Sequence, residues 1–294
     1  MWEKINKFVH SHTVLSTLLL VVLFNGLLTI FSVTAIPDSM EVSLQLAIFT
    51  IGQLVLSAIA IWLMRKLQVF NINDFKFKGV GKGFLLGWVA IVYVIISFLV
   101  SFLELPANSL VAPNMLYLLI VFVHLLLGTG VLEEVLFRGL ILKTLLKKMG
   151  QSKKGIINAC FISAAFFGIG HIVNIFNIAD KSSIGSYLPI TSQLVCATAF
   201  GVFCVALFLR TKTLWVPILL HTLANLPAYI IDAITSPGDI LQITETMVEI
   251  DIPRLIFVDT LLVSLPFLIA GLVLLRKVKP DDIADLIPEY SVNV

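Results

Sequence analysis

The sequence is short of charge, short of cysteine and without any polar stretch long enough to make a soluble domain. Only 13% of its residues are charged, about half the share found in soluble domains, which excludes an ordinary water-covered surface. The three cysteines, Cys160, Cys196 and Cys204, lie in apolar surroundings. Cys196 and Cys204 would stand about 12 Å apart along one helix, too far to bridge. They read as small core residues, with neither a disulfide frame nor a redox or metal role. The longest polar stretch, 232–254, carries a Pro237-Gly238 turn and reads as an acidic outer loop. It is too short to bury a core of its own. Internal repeats and low-complexity tracts are absent, and no nucleic-acid partner is expected.

What is present is apolar length. The composition is 59% hydrophobic with a mean hydropathy of +1.02. Apolar runs near 14–36, 43–64, 83–103, 115–142, 156–178, 187–209, 213–231 and 255–275 are each long enough for a bilayer core of about 30 Å. The expected fold is therefore all-α: a polytopic membrane protein of eight transmembrane helices, forming a single integral membrane domain over 1–294. The basic residues test that assignment. Seventeen of the twenty Lys and Arg fall in alternate connections: the N-terminal tail, 65–82, 143–154, 210–212 and the C-terminal tail. The opposite connections hold only Lys181 and Arg254, and Arg138 lies within a helix. By the positive-inside rule both termini are cytoplasmic and the protein is a multi-pass component of a cell membrane. Lys4 and Lys7 followed by an apolar run and Val33-Thr34-Ala35 loosely resemble a signal peptide, but the run exceeds the usual length and reads as an uncleaved anchor. The alternation Phe75-Lys76-Phe77-Lys78 suits a segment resting on the lipid surface, and Leu140–Lys154 extends the fourth helix with a basic face.

Against this background one stretch stands out, Glu133-Glu134-Val135-Leu136-Phe137-Arg138. Ionisable groups at membrane depth cost roughly 3 kcal/mol each even on lenient scales, and they are functional candidates by default. At about 100° per residue, Arg138 falls within about 40° of Glu134 but about 140° from Glu133. Glu134 and Arg138 can pair at i, i+4 as a structural clamp. Glu133 is left as the carboxylate free for chemistry.

Two further helices carry polar groups that could meet it. Phe167-Gly168-Ile169-Gly170-His171 places a histidine on the fifth helix, beside two glycines that permit close helix approach. His221 and Asn225 share one face of the seventh at i, i+4. A carboxylate with neutral imidazoles is a set that activates water or binds a divalent metal, and Asn225 could donate to a developing oxyanion. Glu133 and His221 lie at similar depths from the basic ends of their helices. His171 agrees with them only if the fifth helix begins outside the bilayer and enters near Cys160–Ser163. His124, nine residues from Glu133, should face about 180° away from it. Asn25, Gln45, Gln53, Asn158 and Asn174 read as interhelical hydrogen-bonding residues, with Asn174 a candidate support for His171.

Glu-Glu-x-x-x-Arg, Phe-x-x-x-His and His-x-x-x-Asn, in that order on separate apolar helices, resemble the CPBP family of intramembrane proteases: the type II CAAX prenyl endopeptidases and their bacterial Abi relatives. The resemblance covers about 115–231. It implies a CAAX-protease-like helical bundle whose catalytic chamber opens to the cytoplasmic side, and a bacterial plasma membrane as the location. It also implies that Glu133 and His171 activate the attacking water, that His221 and Asn225 stabilise the oxyanion, and that Glu134, Arg138 and Phe167 support them. Glu133, His171 and His221 could instead ligate Zn²⁺ or another divalent metal with water in an open position. The implied activity is endoproteolysis of a membrane-associated peptide or protein near the cytoplasmic face: a prenylated C-terminus, a bacteriocin or a pheromone precursor. Two other classes use similar residues, a proton-coupled transporter and a non-catalytic bacteriocin-immunity protein. Against the first, no paired halves with matching broken helices are visible.

Overall fold

A computed structural model describes residues 2–37, 39–103, 114–177, 187–235 and 262–287. These residues are helical, with short connections and no strand among them. That is the expected outcome where no water is present to satisfy the backbone. In chain order the helices are α1 (Trp2–Ser11), α2 (Thr13–Ala35), α3 (Val42–Lys66), α4 (Val80–Leu86), α5 (Trp88–Leu103) and α6 (Met115–Met149). Then follow α7 (Lys153–Gly170), α8 (Leu188–Thr211), α9 (Trp215–Thr235), α10 (Leu265–Leu275) and α11 (Pro280–Ala284).

Among the described residues, five helices are long and apolar enough to cross a membrane, and a sixth is obtained if α4 and α5 are one span bent by 66°. The chain is a multi-pass membrane protein. The expected count of eight differs from this for identifiable reasons. The third run breaks at Gly87, where an added Cβ would meet the Gly83 carbonyl at 3.0 Å and Leu220. The seventh and eighth runs appear as shorter apolar helices, Trp215–Ile231 and Leu262–Leu275. The start of the eighth run and the acidic 236–254 segment lie outside the described residues.

The centre of the bundle is α8, whose residues Val202–Leu209 are all buried. It packs against α7 on one side and α10 on the other. Small residues make this possible. At Gly168 on α7, a Cβ would stand 2.7 Å from the Leu194 carbonyl and collide with Thr198. Gly170 is different, since a Cβ there would meet only ordinary contacts of 3.4 Å and longer. Of the two glycines expected to allow close approach, only the first is required to.

One connection sets the helices that carry the site against each other. The 70–82 segment is tied to the helices around it, with Lys76, Phe77 and Lys78 exposed. Asp74 is buried within it, and its Oδ2 lies 2.6 Å from the Lys143 ammonium on α6. The backbone N–H of Leu214 donates to the Asp74 carbonyl (2.7 Å), Thr213 Oγ1 donates to the Lys76 carbonyl (2.6 Å), and the Trp215 indole donates to the Phe75 carbonyl (2.9 Å). Phe77 stacks on Trp215 with ring centroids 4.4 Å apart. This strap locks the basic end of α6 to the first turn of α9. Burial pushes the Asp74 carboxyl up from 3.8 to about 6, against the opposing pull of Lys143.

Candidate active site

Helix α6 is not a uniform α-helix. It is π-helical over His124–Gly130, α-helical over Val131–Glu134 and π-helical again over Val135–Leu142. Glu133 and Glu134 therefore sit on one short α-turn between two widened segments, a feature that recurs at functional sites. The change in winding corrects one expectation. Regular α-geometry puts His124 opposite Glu133; the π-turn winds less per residue, and both line one cavity.

The charged stretch separates as the helical spacing requires. Glu134 and Arg138 are fully buried and paired, with Oε2 3.0 Å from Nε. Arg138 Nη2 lies 3.4 Å from the Gly201 carbonyl, and its guanidinium covers the Phe167 ring at 4.4 Å. The other oxygen of Glu134 has a task that spacing within one helix does not reveal. Oε1 accepts from His221 Nδ1 at 2.9 Å. On its opposite edge, His221 Nε2 stands 3.7 Å from Glu133 Oε2. The buried imidazole lies between the two carboxylates, and Glu133 remains 25% exposed where Glu134 is closed off entirely.

His171 lies where α7 gives way to a 3-10 turn, His171–Asn177. Its Nδ1 is 2.9 Å from the Phe167 carbonyl. A carbonyl only accepts, so Nδ1 carries a proton, and in the neutral imidazole Nε2 is then the nitrogen with the lone pair. Phe167 joins the set, its ring edge-on to His171 at 5.1 Å and to His221 at 5.8 Å. Phe200, which the motifs do not include, closes the other side of His221 at 5.2 Å. Asn174 does not support His171; its amide donates to Gln193 Oε1 at 2.9 Å.

Two cavities meet at Phe167 and His171. The larger, of about 300 Å³, has a mixed lining in which Glu133, His124, Gln53, Thr129 and Asn25 stand among apolar side chains such as Phe24 and Phe49. The smaller, of about 230 Å³, is lined by His221, Asn225, Phe200 and Phe267. Glu133 and His171 thus share the lining of one cavity, and His171, His221 and Asn225 that of the other. Pro227 follows Asn225 by two residues within α9, leaving the Leu223 carbonyl without its usual helical donor.

The expected metal ligands do not close on a common point. Among the described residues no group of three His, Cys, Asp or Glu side chains is arranged to hold an ion. In addition, Nδ1 of His221 is committed to Glu134. None of the three cysteines is in a disulfide, and the Cys196 sulfur accepts from Ser264 Oγ at 3.1 Å.

Residues 114–227 match the family model described as type II CAAX prenyl endopeptidase Rce1-like. Over this stretch, rather more than a third of its length, the chain is similar to that family. The Rce1-like stretch opens at Asn114, whose side chain caps α6 by accepting from Leu116 N and Tyr117 N. It closes just past Asn225 and so contains each of the paired and cavity-lining residues named in the three motifs. No curated protein and no solved structure matches the chain.

Proposed function

We propose that the protein is an intramembrane endopeptidase that cleaves a membrane-associated peptide close to the cytoplasmic face. In this reading Glu133 and His171 activate water, while His221 and Asn225 receive the oxyanion. The observation that carries it is the position of His171 in the wall common to both cavities. A water in the larger cavity gives its proton to Glu133, and its other O–H donates to the free Nε2 of His171. The oxygen attacks a peptide carbonyl held at the junction. The carbonyl oxygen, now carrying the negative charge, turns into the smaller cavity toward Asn225 and His221.

His221 donates from Nε2 only as an imidazolium, because Nδ1–H is already given to Glu134. Glu133 then returns its proton to the amide nitrogen and the C–N bond breaks. The substrate class follows from the resemblance and not from the cavity lining: a prenylated C-terminus, a bacteriocin or a pheromone precursor. The reaction as written uses no metal.

The test has two parts. Purified protein in liposomes is offered a peptide ending in a farnesylated cysteine and three further residues. Membranes from cells making the wild type or Glu133→Gln are compared by peptidomics. Products that disappear in Glu133→Gln and His171→Ala, with folded protein retained, support the reading; cleavage retained in both overturns it.

A further inference from the structure

At the basic end of the bundle, away from the site, lies a cavity of about 380 Å³ between α1, the end of α3 and the end of α6. Lys7 and His10 line it from α1, Lys147 and Lys148 from α6, and Asn6 and Gln68 complete its polar rim. None of its lining residues is acidic, and no described carboxylate pairs with Lys7, His10 or Lys148. Like charges gathered around a hollow repel one another unless an anion enters it.

Four features make this a built place. Helix α1 buries none of its residues, yet it is tied to the bundle where Asn6 donates to the Lys66 carbonyl at 3.2 Å. Trp2 and Trp62 meet edge-on at 5.1 Å with the Lys66 ammonium 5.8 Å and 6.0 Å from their rings. Such an aromatic and cationic pair marks the headgroup level of a membrane. Lys147 donates to the Leu67 carbonyl and to Gln68 Oε1, both at 3.2 Å. Finally, Gln68 adopts φ +59°, a left-handed conformation for which glycine is preferred. Backbone held this way clusters at ligand clamps, and here it sets a glutamine side chain on the cavity rim.

We propose that this cavity binds a phosphate group, supplied by the headgroup of an anionic phospholipid. The phosphate oxygens accept from Lys7, Lys148 and His10, and the acyl chains run along the exposed apolar side of α2, where Leu15, Leu19 and Val22 face outward. Basic pockets between transmembrane helices hold lipid headgroups in this manner. The lipid would fix the tilt of α1 and α2 against α6, independently of any proteolytic activity.

The full chain in a non-ionic detergent is mixed with equal amounts of phosphatidylglycerol and phosphatidylcholine and examined by native mass spectrometry. Phosphatidylglycerol should be retained in preference, and K7Q/K148Q should lower its retention by about thirtyfold, the effect of two lysines at a headgroup surface. Displacement of the lipid by inorganic phosphate would support the site and assign recognition to the phosphate alone. Persistence of the lipid in phosphate would support it and assign recognition to the anchored headgroup. Equal retention of the two lipids by the wild type overturns the proposal without recourse to any variant. So does unchanged phosphatidylglycerol retention in a monodisperse K7Q/K148Q protein.

Discussion

Glu134 Oε1 lies 2.9 Å from His221 Nδ1, while its other oxygen stands 3.0 Å from Arg138 Nε. One buried carboxylate therefore joins a guanidinium on its own helix to an imidazole on another. The adjacent Glu133 approaches the same imidazole from the far side at 3.7 Å and keeps an open edge toward the cavity. Two neighbouring residues of one type thus have different environments, and their variants should fail in different ways.

Glu133→Gln should abolish cleavage while leaving the melting temperature in detergent near that of the wild type. Glu134→Gln leaves Arg138 buried without its anion, a loss of about 3–5 kcal/mol, and should lower the melting temperature sharply as well as the activity. Paired measurements of unfolding and cleavage separate the two. Equal destabilisation by both would contradict the distinct environments assigned to them.

Asn225→Ala should lower kcat by about 10²–10³ with little change in KM, the pattern expected when a donor to the oxyanion is lost. The reading of Asn225 as an oxyanion donor fails if KM rises instead and kcat is unchanged.

The buried Asp74 predicts a pH dependence whose sign is fixed. Its carboxyl titrates near 6 in the folded chain against 3.8 normally. Between those values the folded state holds more protons than the unfolded one. This group's contribution to stability therefore falls as the pH rises from about 4 to about 6. Asp74→Asn should remove that slope, whatever it does to absolute stability by unpairing Lys143. Unfolding midpoints in detergent across this pH range provide the check, and an unchanged slope would clear Asp74 of the effect.

The contact between α7 and α8 predicts a contrast between two glycines. Gly168→Ala forces a methyl against the Leu194 carbonyl and Thr198 and should cost about 1–3 kcal/mol. Gly170→Ala meets only ordinary contacts and should be close to neutral. Thermal unfolding of the two variants side by side reads the difference.

Incubation with a strong chelator, with metal analysis of the purified protein, tests the Zn²⁺ alternative. The geometry leads to the expectation that cleavage survives chelation, since Glu133, His171 and His221 do not form a three-ligand cluster. Activity lost to the chelator and restored by added Zn²⁺ would replace the metal-free reaction with a metal-dependent one.

Much of this protein was legible one residue at a time. Ionisable groups are so costly in an apolar run that Glu133, Glu134, Arg138, His171 and His221 identify themselves, and the α-helical repeat separates Glu134, which pairs with Arg138, from Glu133. Apolar length likewise marks where membrane helices lie. What depended on the third dimension is how separate helices meet. That Glu134 also holds His221, that Phe167 and Phe200 enclose the imidazole, and that Asn174 turns to Gln193 are relations between helices whose rotation and depth no single segment encodes. His124 illustrates the reason. A regular α-repeat puts it opposite Glu133, but the π-helical turn His124–Gly130 rewinds α6 between the two residues, where α6 packs against α3 and α9. The strap that binds Asp74 to Lys143 and Leu214 then fixes the depth of one helix against another. Local chemistry determined which residues could react; the packed bundle decided which of them face each other.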